Sequence, residues 1–146
     1  MQIRLMQPAD YDAVYALWMA CAGMGLNDLD DSRQGIGRFL QRNPGTCLVA
    51  EEAGRAVGVI LAGHDGRRGY IYHTAVHPEF RGRGIGQDLV QRALAALEQC
   101  GIHKVALVVF RRNETGNRFW ERMGFAERQD LAYRNKALAE MIRIDT

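Results

Sequence analysis

A glycine-rich turn joins an apolar segment to an amphipathic helix in the middle of the chain, and this turn restricts the fold more than any other feature. Its sequence is Arg81-Gly82-Arg83-Gly84-Ile85-Gly86. Glycines let the backbone approach a ligand closely, and the first free N–H groups of a helix bind anions. The planar fork of an arginine side chain suits phosphate. The sequence therefore predicts a pyrophosphate site where a strand ends and a helix begins.

The spacing of the glycines separates several classes of phosphate site. The dinucleotide-binding fingerprint requires Gly-x-Gly-x-x-Gly, but Gln87 stands where its third glycine would be. The P-loop requires Gly-Lys-Ser/Thr, and no lysine lies near this turn. An ordinary tight turn between a strand and a helix also fits three glycines alone, so a second motif has to decide between these interpretations.

A second motif lies one helix and one strand downstream, between Asn113 and Phe125. The glycine turn resembles motif A of the GNAT family of N-acetyltransferases, Arg/Gln-x-x-Gly-x-Gly/Ala, and the second segment resembles motif B of that family. Both motifs stand in the order that the family has. Two positions depart from motif B, since Gly116 replaces the usual alanine and Trp120 replaces a frequent tyrosine acid.

The resemblance implies an α/β fold, the acyl-CoA N-acyltransferase fold, with a mixed, mostly antiparallel sheet, splayed central strands and flanking helices. The chain of 146 residues is long enough for one domain, 1–146. The predicted order is β-α-α-β-β-β-α-β-α-β. Arg83–Cys100 is expected to be a long helix, Lys104–Phe110 a buried strand in the middle of the sheet, and Ala126–Ile144 one or two final strands.

The resemblance also implies acetyl-CoA as co-substrate, with no metal. Ala75 and Val76 on the fourth strand are expected to face its pantetheine arm and thioester. The histidines are scattered in the sequence and form no metal-ligand motif. The residues that the resemblance assigns to cofactor binding are Ala75, Val76, Arg81, Gly82, Arg83, Gly84, Ile85, Gly86, Gln87, Asn113, Asn117 and Trp120.

The implied reaction is direct transfer of an acetyl group to a neutral amine. The backbone N–H of Val76 is the candidate donor to the oxyanion. A general base is not identified, but His73 and Tyr72 lie on the fourth strand, where family members often place one. Because the indole of Trp120 is not a useful acid, Tyr133, Tyr72 or water would have to protonate the leaving thiolate.

An acidic loop lies between the first two predicted helices, in the region that walls the acceptor site in this family. Asn27, Asp28 and Asp30 are the candidate substrate-binding residues. Carboxylates would attract an amine, which is a cation in solution. The alternative interpretation is a solubilising loop in which Asp31 or Ser32 caps the next helix.

Composition limits the other classes of function. The net charge is +2, so no strong electrostatic attraction to nucleic acid or to a membrane is expected. No apolar run reaches about 18 residues, and the three cysteines indicate reduced thiols in a cytoplasmic protein. The partners are then acetyl-CoA and an amine acceptor, with a homodimer left open. Two alternatives remain, a non-catalytic acyl-CoA-binding module and a transferase for a bulkier acyl group.

Overall fold

A five-stranded sheet with helices on both faces forms the framework of the protein; the structure, a computed structural model, describes residues 1–144. The strands lie in the order β1 to β5, with β1 to β4 antiparallel and β5 parallel to β4. The strands are β1 (Gln2–Leu5), β2 (Leu48–Glu52), β3 (Arg55–His64), β4 (Gly69–Val76) and β5 (Val105–Ala106). The helices are α1 (Tyr11–Met19), α2 (Arg33–Arg42), α3 (Ile85–Gln99) and α4 (Glu114–Arg122), with 3₁₀ turns at Pro8–Asp10 and Pro78–Phe80.

The sheet separates two apolar cores. One core contains Trp18 of α1 and Ile36 of α2, and the other contains Leu89 of α3. Val59 and Ile60 of β3 point into different cores, because successive side chains of a strand face opposite sides of the sheet. Burial on both faces explains why β3 is an almost continuous apolar run in the sequence.

Two of the helices begin at side-chain caps. Ser32 Oγ accepts a hydrogen bond from the Gly35 N–H at 3.0 Å. Of the two caps predicted for this helix, Asp31 and Ser32, the structure therefore has Ser32. Asn113 Oδ1 accepts a hydrogen bond from the Gly116 N–H at 2.9 Å. Helix α3 has a glycine cap instead, and it begins at Ile85 rather than at the predicted Arg83. Gly84 has φ +78°, a left-handed conformation that cannot belong to a right-handed helix.

The turn between β2 and β3 yields a prediction about stability. Ala53 and Gly54 have φ values of +51° and +77°, the pattern of a two-residue hairpin turn that favours Asn-Gly. Ala53→Asn is expected to raise the free energy of unfolding by about 0.5–1 kcal/mol, because asparagine tolerates the left-handed region better than alanine. Denaturant unfolding measures the change. Ala53→Val should lower the stability, and equal midpoints for all three proteins would contradict this explanation.

The predictions for the chain after α3 are wrong in two respects. β5 comprises only Val105–Ala106 and lies at the edge of the sheet, not in its middle, and Val108 is 59% exposed. The apolar run indicated burial, but no further strand covers it among residues 1–144. Ala126–Ile144 forms no strand, and its one bridge joins Arg143 to Asn27. The pattern of that segment lacks a regular apolar alternation, and Leu138 is 95% exposed.

Candidate active site

A gap opens between β4 and β5. The two strands pair only at Gly69 with Val105 and at Tyr70 with Ala106, whereas β4 continues to Val76. Beyond the end of β4, the His77 N–H donates to the Val57 carbonyl of β3 at 2.8 Å. Because backbone groups alternate in direction along a strand, the Val76 N–H points away from β3, toward the gap. The gap lies beside the sheet edge rather than at its centre, because β5 is the last strand of the sheet.

The glycine turn follows directly at the end of β4. Gly82 and Gly84 have φ values of +79° and +78°, and a Cβ added to either would meet no atom within 4 Å. Gly86 differs, since a Cβ there would lie 3.4 Å from the Phe119 ring of α4, at the short limit of van der Waals contact. No side chain caps the start of α3, whose first N–H groups lack intrahelical partners. Open space beside these donors fits the pyrophosphate of CoA.

The two arginines of the turn have different surroundings. Arg81 Nε donates to the Val76 carbonyl at 3.0 Å, and its guanidinium contacts Cys21 Sγ at 3.6 Å. Arg81 therefore holds the end of β4 in place. The Arg83 side chain is 57% exposed and lies over the Phe80 ring at 4.9 Å. Its Nη1 is 3.7 Å from Glu52 Oε2, which is too long for a hydrogen bond. Arg83 is thus the arginine whose guanidinium can turn toward a phosphate with little loss.

The second motif braces the loop that leads into α4. Asn117 Nδ2 donates to the Phe110 carbonyl at 3.1 Å and to the Asn113 carbonyl at 2.8 Å. A Cβ at Gly116 would lie 2.4 Å from Asn113 Nδ2, so glycine leaves room for the helix cap. Trp120 is half-buried and packs edge-on against Phe119 and Phe125, at centroid distances of 5.0 and 5.2 Å.

The fourth strand contains a bulge that the sequence did not reveal. Leu61 pairs with Tyr72 and Val59 with Ala75, so that one residue of β3 opposes His73 and Thr74. His73 has φ +39°, a conformation that costs roughly 1–3 kcal/mol in a non-glycine residue. Thr74 Oγ1 is buried and has no hydrogen-bond partner within residues 1–144. Such strain persists only where the surroundings enforce it.

A buried carboxylate holds the imidazole of His73. His73 Nε2 lies 2.8 Å from Asp31 Oδ1, and the Asp31 residue is 3% exposed. The second oxygen of Asp31 accepts from the Asn27 N–H at 2.8 Å. Sequence reasoning considered Asp31 only as a helix cap, a role that Ser32 takes. No sequence signal links residues 42 positions apart, because the contact depends on how α1 and α2 pack on the sheet.

The acidic loop divides into structural and exposed parts. Asn27 Oδ1 accepts from the N–H groups of Leu29 and Asp30 and so shapes the turn. Asp28 Oδ1 accepts from the Ile142 N–H at 2.6 Å and ties the C-terminal segment to the loop. Asp30 is exposed and borders a groove of about 430 Å³. The groove is lined by Leu29, Asp30, Ser32, Gln34, Arg38, Lys136, Ala137, Leu138, Ala139 and Met141.

Aromatic side chains lie along the same face of β4. The rings of Tyr70 and Tyr72 are 4.6 Å apart, and Phe39 of α2 contacts Tyr72 edge-on at 5.7 Å. Burial, together with the nearby Tyr133 phenol, raises the pKa of Tyr70 to about 12 and also raises the pKa of Tyr72. These two phenols are therefore protonated at neutral pH, and the raised pKa also makes each a weaker acid than an exposed tyrosine. Tyr133 itself is 67% exposed.

Residues 1–144 contain neither a cluster of metal ligands nor a membrane-spanning helix. No group of three or more His, Cys, Asp or Glu side chains is arranged to hold a metal ion there. In the same part of the chain, no helix has both the length and the apolar character required to cross a membrane.

The comparison with known proteins agrees with this geometry. The family model described as Acetyltransferase (GNAT) family matches residues 11–125. The chain belongs to the GNAT acetyltransferase family. An acetyltransferase of Photorhabdus laumondii is 38% identical over 128 residues, which are 88% of each chain. The predicted family is confirmed.

Solved structures confirm the predicted fold class. Ard1 from Thermoplasma volcanium superimposes with a TM-score of 0.76 at 25% identity. The matched region covers 86% of this chain and 82% of the Ard1 chain. A Mycobacterium tuberculosis protein solved in complex with CoA superimposes with a TM-score of 0.71 at 26% identity, covering 88% and 74%. The GNAT protein described here is an enzyme of acetyl-CoA-dependent N-acetyl transfer, as the sequence predicted.

Proposed function

We propose that this GNAT enzyme transfers acetyl directly to a primary amine, on a small molecule or a protein, with the thioester held in the gap between β4 and β5. The observation that carries the proposal is the end of β4, where unpaired strand backbone and an open glycine turn meet. Acetyl-CoA supplies the activated acyl group and a thiol leaving group. A panel of amines assayed by thiol release tests the proposal, and failure to acetylate any amine would contradict it.

The cofactor-binding proposal divides the work among three parts of the chain. The turn from Gly82 to Gln87, with the Arg83 guanidinium, binds the pyrophosphate. Ala75 and Val76 bind the pantetheine arm, and the Val76 N–H donates to the carbonyl oxygen of the thioester. Asn113 and Asn117 keep the start of α4 in place, while Trp120 packs beside the arm. Arg81 acts indirectly, since its bond to the Val76 carbonyl fixes the strand end.

Protonation of the leaving thiolate needs a donor other than Trp120. Tyr72 and Tyr133 are our candidates, together with water. Burial raises the pKa of Tyr72, which keeps its phenol protonated at neutral pH but makes it a weaker acid, so the exposed Tyr133 or water is the stronger candidate. A non-catalytic acyl-CoA-binding module is the alternative, and Trp120 in the place of a frequent tyrosine acid is the observation that favours it. Strong CoA binding without thiol release from any amine would support the module.

The acceptor is proposed to enter through the groove beside the acidic loop. Asp30 is the exposed carboxylate of this groove, and its charge is one of the smaller causes that raise the pKa of the Tyr72 phenol on β4. Asn27 supports the loop, and Asp28 anchors the chain that forms the opposite wall. An amine that is cationic in solution is attracted to such a rim.

Neutralising Asp30 tests this arrangement. Asp30→Asn is expected to raise KM for a cationic amine by about 3- to 5-fold, the size of one exposed charge interaction, without changing the affinity for CoA. The effect should decrease with added salt. Asp28→Asn is expected instead to reduce thermal stability, because it weakens the bond to Ile142. An unchanged KM in Asp30→Asn would assign the carboxylate to solubility.

The remaining parts of the proposal concern the domain organisation, location, partners and oligomeric state of the enzyme. We treat residues 1–146 as one domain that acts in the cytoplasm, with no nucleic acid and no membrane as partner. A homodimer is supported by large apolar side chains exposed in the C-terminal segment, including Leu131 at 61% and Ile142 at 62%. Light scattering should then give twice the chain mass of 16.4 kDa, and a monomeric mass would reject the dimer.

A further inference from the structure

We propose that His73 and Asp31 form the proton-accepting pair of this enzyme, in which His73 takes the proton of the acceptor amine and Asp31 is a positioning residue. The inference rests on the proposed function, since it requires an amine at the end of β4. The inference goes beyond the proposed function because it assigns the base and pairs that base with a carboxylate from the loop before α2.

The hydrogen bonds around the pair determine which nitrogen of His73 is available. Asp31 Oδ1 lies 2.8 Å from His73 Nε2, and Oδ2 accepts from the Asn27 N–H. An ionised carboxylate can only accept, so Nε2 carries the hydrogen in the neutral imidazole. Nδ1 then holds the lone pair and can accept a proton. This is the way in which a carboxylate fixes a histidine tautomer in other acid–base sites.

The backbone of His73 is fixed as firmly as its ring. The Trp18 indole N–H donates to the His73 carbonyl at 3.0 Å, and the two rings contact edge-on at 5.2 Å. The bulge places both rings on the side of α1 and α2, since His73 contacts Trp18 of α1 and Tyr72 contacts Phe39 of α2. A strained residue held by several contacts is typical of a functional site rather than of sheet geometry alone.

His73 lies at a suitable distance from the thioester position. His73 stands three positions before Val76, and because the bulge shortens the strand there, this corresponds to at most roughly 10 Å along β4. The imidazole and one water molecule span such a distance. The His73 side chain is 15% exposed and that of Asp31 only 4%, so part of the imidazole is accessible to solvent while its partner stays buried.

The proton balance of the step is simple. As the amine nitrogen bonds to the acetyl carbon, it loses one proton to Nδ1 of His73, directly or through the water. The carbon–sulfur bond breaks, and its electron pair leaves with sulfur, which receives a proton from a phenol or from water. His73 returns its proton to solvent. No oxidant, reductant or metal is required.

Few other titratable groups face the pair. The Tyr72 phenol lies beside the imidazole with ring centroids 6.2 Å apart, and the Tyr11 hydroxyl donates to the Asp31 carbonyl at 2.7 Å. Arg33 of α2 lies over the Tyr11 ring at 4.9 Å. A change in the pH–rate profile can therefore be assigned by comparing variants of His73 and Asp31 with Tyr72→Phe.

The decisive variant is Asp31→Asn. The new amide can donate to Nε2, which favours the tautomer with hydrogen on Nδ1 and removes the proton acceptor. We expect kcat to fall about 100-fold with a much smaller change in the amine KM. Nitrogen NMR of His73 should show hydrogen on Nε2 in the wild type and on Nδ1 in the variant. Asp130→Asn, which removes an exposed carboxylate paired with Arg128 and not in contact with the pair, is the matched control and should behave as wild type in both measurements.

His73→Gln keeps the inference testable if Asp31→Asn does not fold. It should abolish the lower-pH limb of the kcat/KM profile while CoA affinity by calorimetry stays unchanged. A wild-type enzyme that acetylates amines, with normal kcat in either variant, would overturn this inference alone. A wild type that binds CoA and acetylates no amine would overturn the proposed function, and the role of the pair with it.

Discussion

Gly84→Glu is expected to weaken CoA binding by at least about 100-fold, equivalent to about 2.7 kcal/mol, while the protein remains folded. The φ of +78° and the open space around the missing Cβ place the new side chain where the pyrophosphate would lie. The added carboxylate would also repel the phosphates. Isothermal titration calorimetry with CoA measures the loss.

Gly66→Glu is the matched control for this change. Gly66 has φ +91° and also meets no atom within 4 Å of an added Cβ, but it lies in the turn at the opposite end of β4. Both variants carry backbone strain of about 1–2 kcal/mol, so both should lose stability. Only Gly84→Glu should have a reduced affinity for CoA. Equal CoA affinities in the two folded variants would reject the glycine turn as the pyrophosphate site.

Trp18→Phe is expected to lower the free energy of unfolding by about 2–4 kcal/mol. Trp18 is completely buried, and its indole N–H is the donor to the carbonyl of the strained residue His73. Phenylalanine would leave a small cavity and an unsatisfied carbonyl at the bulge. Turnover should fall as well, because the orientation of His73 depends on this bond.

Trp120→Phe provides the comparison, since these are the two tryptophans of the chain. The Trp120 ring is half-buried, and its N–H has no hydrogen-bond partner within residues 1–144, so the same chemical change should cost less than about 1 kcal/mol. Denaturant unfolding followed by the remaining tryptophan measures both values. Similar losses in the two variants would show that the bond to His73 is not important for stability.

Local chemistry explains which parts of the structure the sequence could predict. The glycine turn, the Ser32 cap and the apolar stripe of α3 each depend on residues close together in the chain. The edge position of β5 could not be predicted, because the apolar run Lys104–Phe110 indicates burial but does not say what covers it. The absence of strands in Ala126–Ile144 has a different origin, since that segment lacks the regular apolar alternation of a strand.

The candidate site also has parts that depend on local sequence and parts that depend on tertiary packing. The predicted roles of the Val76 backbone and of the glycines come from motifs, which are contiguous in sequence. The bulge at His73 and its bond to Asp31 arise from the register of two strands and from the packing of a distant loop. Neither residue type is unusual at its position, and only the three-dimensional structure brings the imidazole and the carboxylate together.

The bond between Asp28 and Ile142 has a consequence for how this enzyme could diversify. It joins the loop before α2 to the last described residues of the chain, and the bridge between Asn27 and Arg143 reinforces it. One wall of the groove that we propose for the acceptor is therefore built from a segment that contributes nothing to the glycine turn. Substrate preference could change by exchange of this C-terminal segment while the CoA site stays intact. For the same reason, a C-terminal affinity tag would disturb acceptor kinetics before it disturbed CoA binding.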